Sequence, residues 1–140
     1  MLNQTAEYAL RAVLYIASQE DAGPVRVDTI AADLGIPRNY LSKVMHVLAR
    51  SGTLNSTRGP AGGFVLAQPA DEVSLARVIE QFDPIEDRCL LMRRHCSDAA
   101  PCVAHHRWKR VASELRGFFR ETTVADIVAG AAELPAAAFR

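Results

Sequence analysis

Between Asn3 and Gln19 the apolar residues Ala6, Ala9, Leu10, Val13, Leu14, Ile16 and Ala17 recur at the spacing of one helix face, which predicts an amphipathic first helix. Gly23-Pro24 ends it. A second short helix is predicted from Asp28 to Leu34, stopped by Gly35, and a third from Pro37, where the missing amide hydrogen costs nothing. Along that third helix Tyr40, Leu41, Val44, Val47 and Leu48 form an apolar face, and Gly52 closes it. Two helices joined by the tight turn Leu34-Gly35-Ile36 make a helix-turn-helix.

The pattern then changes period. Thr53 to Thr57 and Phe64 to Leu66 are β-prone runs separated by Arg58-Gly59-Pro60-Ala61-Gly62-Gly63, so they predict a hairpin. A helix-turn-helix followed by a hairpin is a winged helix. Ser74 suits the N-cap of a fourth helix running to Phe82, after which Pro84 opens a polar segment. From Val103 to Arg120 a long helix carries Trp108, Val111, Ala112, Leu115, Phe118 and Phe119, a wide apolar stripe suited to pairing with the same helix of a second subunit. Thr123 with Asp126 marks a short helix over Val124 to Ala129, and the alanine-rich remainder reads as a loose tail. The expected fold is therefore mainly α with a small β-hairpin: a winged helix-turn-helix over residues 1–83, a cysteine loop over 84–102, dimerisation and terminal helices over 103–130, and a flexible tail over 131–140.

Composition narrows the function classes. At 140 residues with 49% hydrophobic content the chain builds one ordinary core, and no internal repeat is visible. The N-terminus lacks a basic region followed by an apolar run, and no segment is long enough to span a bilayer, so a cytoplasmic protein without a membrane partner is expected. The formal net charge is zero, yet no acidic residue occurs between Leu34 and Ala70, where Arg38, Lys43, Arg50 and Arg58 lie. That stretch faces a polyanion.

On the third helix, Arg38 and Asn39 suit hydrogen bonding to base edges, while Ser42 and Lys43 suit phosphate. Gly59, Gly62 and Gly63 let the wing turn approach another surface closely, and Arg58 at its base suits a narrow minor groove. A phosphate-binding loop is disfavoured, because neither Lys-Ser nor Lys-Thr follows those glycines. His46 reads as a DNA-side or surface residue.

All three cysteines, Cys89, Cys96 and Cys102, fall within fourteen positions, and His105-His106 follows. An odd number of clustered thiols among charged residues argues for metal or redox chemistry over disulfides. Three thiolates with one nitrogen or oxygen donor hold an iron-sulfur cluster, of two-iron or four-iron type, or a zinc ion. Wide spacings of six and five residues between the cysteines favour the cluster over zinc, whose sites usually contain a close Cys pair. A metal-free winged-helix repressor and a thiol redox or cluster-carrier protein are the other readings, the last lacking its Cys-x-x-Cys pair. His95 and His106 are candidates for hydrogen bonds behind the ligands. By spacing alone, Glu7 is a surface carboxylate paired with Arg11.

Taken together, Glu7-Tyr8-Ala9-Leu10, Ile30 to Ile36, Tyr40-Leu41, the wing from Arg58 to Phe64, Val78-Ile79 and the three cysteines resemble the small dimeric winged-helix regulators that include IscR and NsrR. The resemblance covers about Leu2 to Ala129. It implies a homodimer that binds a double-stranded DNA operator, senses cluster status, redox state or nitric oxide, and needs no small-molecule substrate. It places Arg38, Asn39, Tyr40 and Ser42 in the major groove, Arg58 in the minor groove, and Trp108 to Phe119 at the dimer interface. For the fourth cluster ligand it offers two residues: His105, or Glu7 from the partner subunit. The chain departs from these relatives in its six-residue first gap, where they have five, and in the Pro37-Arg38-Asn39 start of the third helix.

Overall fold

A computed structural model describes residues 2–84, 89–91, 96–131 and 135–140. His95 and the arginines flanking it lie outside the described residues.

Helix α1 runs over Gln4–Ser18, and Asn3 caps it by accepting the Ala6 amide at 2.8 Å. Its buried face contains Ala6, Ala9, Val13 and Ile16, and extends to Ala12 and Tyr15. Small residues here let α2 (Val27–Leu34) and α3 (Arg38–Arg50) approach closely. Gly35 ends α2 at φ +66, a left-handed conformation that only glycine adopts without strain. Pro37 stands at the N-cap of α3 rather than within it. Ile30, Leu41, Met45 and Leu48 are fully buried between these helices, each contributing about 1.5–3 kcal/mol of hydrophobic stabilisation.

The wing is an antiparallel pair, β1 (Leu54–Thr57) with β2 (Gly63–Leu66), in register from Leu54 opposite Leu66 to Thr57 opposite Gly63. It has a third member that the sequence concealed. Val25 exchanges both backbone hydrogen bonds with Phe64, at 3.0 and 2.8 Å. A single bridging residue between Pro24 and Arg26 has no periodicity to reveal it. This pairing also explains Gly63: a Cβ there would stand 2.6 Å from the Val25 carbonyl carbon and oxygen, and one at Gly62 would stand 2.3 Å from the Thr57 carbonyl oxygen. The close approach these two glycines permit is to the wing's own backbone.

Helix α4 (Leu75–Ile79) starts from the Ser74 cap and ends before Phe82, shorter than its pattern implied. Helix α5 begins at His105 and extends to Glu121. Its C-terminal end is stitched to the domain, because Leu75 donates to the Thr122 carbonyl at 2.9 Å and Val124 donates to the Val73 carbonyl at 2.8 Å. A capping box between Thr123 and Asp126 then starts α6 (Val124–Val128).

The tail differs from expectation. Residues Ala136–Phe139 form a 3-10 turn, Phe139 stands edge-on to Tyr15 at 5.9 Å, and Arg140 donates to the Asp33 carbonyl at 2.8 Å. Burial, and then the hydrogen bond from its hydroxyl to Asp33, push Tyr15 up to about 12. Alanine spacing concealed this contact, since one aromatic residue near the terminus supplies most of it.

Candidate metal centre and nucleic-acid interface

The segment before α5 brings its thiols together. The sulfurs of Cys89, Cys96 and Cys102 all lie within 4.8 Å of one another, with Cys89 and Cys102 separated by 3.6 Å. Cys102 is buried, whereas the other two are half-buried. The first turn of α5 supplies an imidazole to this group: His105 Nδ1 is 3.1 Å from the Cys96 sulfur. Its other nitrogen, Nε2, is 2.8 Å from Asp98 Oδ1, and Lys109 donates to Asp98 Oδ2 at 2.6 Å.

In the neutral imidazole that arrangement favours one tautomer. With Nε2–H donating to a carboxylate, Nδ1 carries the lone pair and faces sulfur, the state a metal-ligating histidine requires. Hydrogen bonds from Lys109 and His105 hold the Asp98 carboxyl at about 2, so it stays ionised across the working pH range. For Cys96, a hydrogen bond from the Cys102 backbone favours the thiolate, but burial and the adjacent Cys102 and Cys89 sulfurs outweigh it and push the thiol up. Three neighbouring thiolates repel each other, and a metal centre is the cation that stabilises them together. The donor set fits a soft or borderline metal.

Trp108, the chain's one tryptophan, lines a small cavity with Cys89, Leu90, Cys96, His105, Lys109 and Ala112. A visible-absorbing cluster at the sulfurs would accept its excitation energy. Loading the protein anaerobically with iron and sulfide should quench Trp108 emission in step with the growth of visible absorption. Quenching is not expected on zinc loading.

Glu7 accepts a hydrogen bond from Arg11 one turn along α1, the pairing its spacing suggested. His106 is exposed and stands edge-on to His105 at 5.2 Å.

At the other end of the molecule, Arg38, Asn39, Ser42, Lys43, His46 and Arg50 line one concave face of α3. Leu41, Val44, Met45 and Leu48 fill its opposite side, so the apolar face that fixes α3 in the core presents the polar residues outward. The Arg38 guanidinium donates to Asp28, and this hydrogen bond holds the Asp28 carboxyl below its ordinary range. His46 Nδ1 lies 2.6 Å from the Ser42 carbonyl and donates to it, which leaves Nε2 as its second polar atom. Tyr40 is 39% exposed, and its hydroxyl is hydrogen-bonded to Thr5 on α1. It therefore ties the start of α3 to α1.

A second concavity joins α3 to the wing and is lined by Arg26, Asp28, Arg38, Thr57, Gly59, Gly62 and Gly63. Arg26 donates to the Pro60 carbonyl at 3.4 Å across this gap. Arg26 extends the basic surface beyond the residues singled out from sequence, and His46 stands on the α3 face where a surface residue was expected. Arg26 lies outside the acid-free stretch and two positions from Asp28, which hid it.

On α5, Trp108, Val111, Leu115 and Phe118 follow a three-four-three spacing of the kind a paired-helix seam uses, with Leu115 also packed against the core of its own chain. Val111 and Phe118 are 52% and 50% exposed, large apolar groups on an open helix face. Phe119 belongs elsewhere. It is 4% exposed and packs into the core of its own chain, so its placement at the dimer interface is corrected: one residue further along the helix turns the ring inward by about 100°.

A winged helix with a polar, basic recognition face defines a DNA-binding transcription regulator. The chain belongs to the Rrf2 family, described as an iron-dependent transcriptional regulator, whose model matches residues 2–130. It is 39% identical over 132 residues to a "Putative HTH-type transcriptional regulator" of Aquifex aeolicus, covering 91% of each chain. It is 31% identical over 129 residues to the HTH-type transcriptional regulator IscR of Escherichia coli, covering 91% of this chain and 79% of that one. Among solved structures, CymR, the global cysteine regulator of B. subtilis, superposes with a TM-score of 0.78 at 20% identity, over 93% of this chain and 97% of that one. These relatives and this fold are those of transcription regulators. Among the described residues, no helix is long and apolar enough to cross a membrane.

Proposed function

We propose that this chain is a homodimeric, sequence-specific regulator whose operator affinity is set by an iron-sulfur cluster held by Cys89, Cys96, Cys102 and His105. The observation that carries this reading is the His105 imidazole, with Nδ1 beside the Cys96 sulfur and Nε2 fixed by Asp98. A surface histidine needs no such backing, whereas a ligand does. The donors also fall into two pairs, Cys89 with Cys102 and Cys96 with His105, the division that a two-iron cluster makes between its irons. Glu7 is the weaker candidate for the fourth ligand, because Arg11 already engages its carboxylate.

When bound, the cluster supplies a redox-active and nitric-oxide-reactive centre. The protein's own part is mechanical. The cysteine loop joins the winged helix to α5, and a seam of Trp108, Val111, Leu115 and Phe118 would pair α5 with its copy. A change at the loop alters the separation of the two recognition helices, and the fixed turn of DNA penalises that change. We place the protein in the cytoplasm.

A second reading, a single zinc ion, draws support from compactness. Metal-sulfur bonds of about 2.3 Å put two thiolates of one tetrahedral ion about 3.8 Å apart, close to the 3.6 Å between Cys89 and Cys102. Anaerobic purification with an absorption spectrum and counts of iron, sulfide and zinc separates the two. A brown or red protein with stoichiometric iron and sulfide supports the cluster, and a colourless zinc protein sinks it.

Arg58 carries the minor-groove part of the proposal. Operator duplex, recovered by selection from a random pool, should bind Arg58→Ala about tenfold more weakly or worse at fixed salt, because one lost groove contact costs about 1–3 kcal/mol. Iron content and dimer mass should not change. Arg38→Ala or Asn39→Ala should instead relax discrimination at particular base pairs.

A further inference from the structure

We infer that Asn3 and Thr5, at the start of α1, are positioning residues that couple the cysteine loop to the recognition helix. The inference rests on the cluster-controlled reading above and names the route within one subunit.

Asp83 and Phe82 form the base of the cysteine loop, with Asp83 six positions before Cys89. Asp83 is 4% exposed, and its carboxylate accepts the Asn3 backbone amide at 2.7 Å. The Asn3 side-chain amide donates to the Phe82 carbonyl at 2.7 Å, while its oxygen caps α1 at Ala6. The loop base and the helix start are thus one hydrogen-bonded unit. Losing a hydrogen bond to a buried carboxylate is costly, which holds the Asn3 contact under load.

Two residues further along, the Thr5 hydroxyl is hydrogen-bonded to the Tyr40 hydroxyl in the first turn of α3. Tyr8, one turn on, stands edge-on to the Tyr40 ring at 5.7 Å, and Gln4 donates to the Tyr8 hydroxyl at 3.1 Å. A helix transmits displacement along its length as a rigid element. A shift of the loop base therefore moves Asn3, and with it Thr5 and the end of α3 that carries Arg38 and Asn39. The Thr5–Tyr40 bond joins half-exposed hydroxyls that water would satisfy equally well, so stability alone gives little reason for it.

The test uses full-length dimer, cluster-loaded and cluster-free, titrated at one salt concentration with the operator duplex recovered by selection. Thr5→Val removes the hydroxyl and keeps the shape, and Asn3→Ser keeps a capping oxygen but removes the donor to Phe82. In each variant the ratio of operator affinities between the two states should move toward one by about threefold or more. Iron per chain and dimer mass should stay at wild-type values. The double variant should lose no more than the stronger single, since both bonds lie on one route. Equal weakening of both states, or an unchanged ratio beside a wild-type ratio different from one, overturns the relay alone. A wild-type ratio of one overturns the cluster-controlled reading and the relay with it.

Discussion

Replacing Cys89, Cys96 or Cys102 by alanine is expected to reduce bound iron and sulfide to less than about a tenth of wild type while leaving a folded dimer. On the proposed reading each thiolate would close one coordination position, and the residues around the group offer no spare soft donor among those described. Cys89 and Cys96 are half-buried at the edge of the molecule, so their removal leaves the core of α1, α3 and α4 intact. Cys102 is buried, and its replacement should add a small loss of thermal stability that the other two variants lack. His105→Ala should alter the visible spectrum under anaerobic conditions, and Glu7→Ala should leave it unchanged. The reverse pattern would move the fourth ligand to the partner subunit's first helix. Metal and sulfide analysis with circular dichroism and mass measurement checks the whole set.

Gly63→Ala is expected to lower stability by about 2 kcal/mol or more and to weaken operator binding at least tenfold. Two effects add there. The residue has φ +154 and its new Cβ would meet the Val25 backbone at 2.6 Å, where no flexible side-chain end can give way. The Val25 to Phe64 bridge must open, and the wing then loses one of its anchors to the helical core, while Leu54 and Leu66 still pack against it. Gly59→Ala provides the comparison. It has φ +98 but nothing within 4 Å of the point its Cβ would occupy, so only the left-handed backbone is strained, at about 1–2 kcal/mol. Chemical denaturation and operator titration of both variants measure the difference between clash and strain.

Much of this architecture was legible because each signal was local. The apolar steps in α1 and α3, the turn at Gly35, the hairpin around Gly59 to Gly63 and the Thr123 cap each depend on residues close in sequence, and each appears where its pattern put it. What escaped was long-range. The Val25 bridge, the Asn3 hold on Asp83 and the Phe139 contact with Tyr15 join positions far apart along the chain, and no period marks either partner. Phe119 illustrates a different loss. Adjacent aromatic residues share a stripe on paper, but on a helix Phe118 and Phe119 face different surroundings, one open and one in the core. At the candidate centre the cysteines and His105 were visible as a cluster of donors. Asp98, which orients the imidazole, was not, because an aspartate in a charged segment carries no signal of its partner.

The most direct measurement is operator affinity in the two states of the centre: the same dimer, loaded anaerobically and then stripped of iron and sulfide, titrated against the selected duplex and a scrambled one at fixed salt. Affinities for the operator that differ by about fivefold or more between the states, with scrambled DNA bound weakly and alike in both, are the expected result. Equal operator affinity in the loaded and stripped protein would contradict control by the cluster.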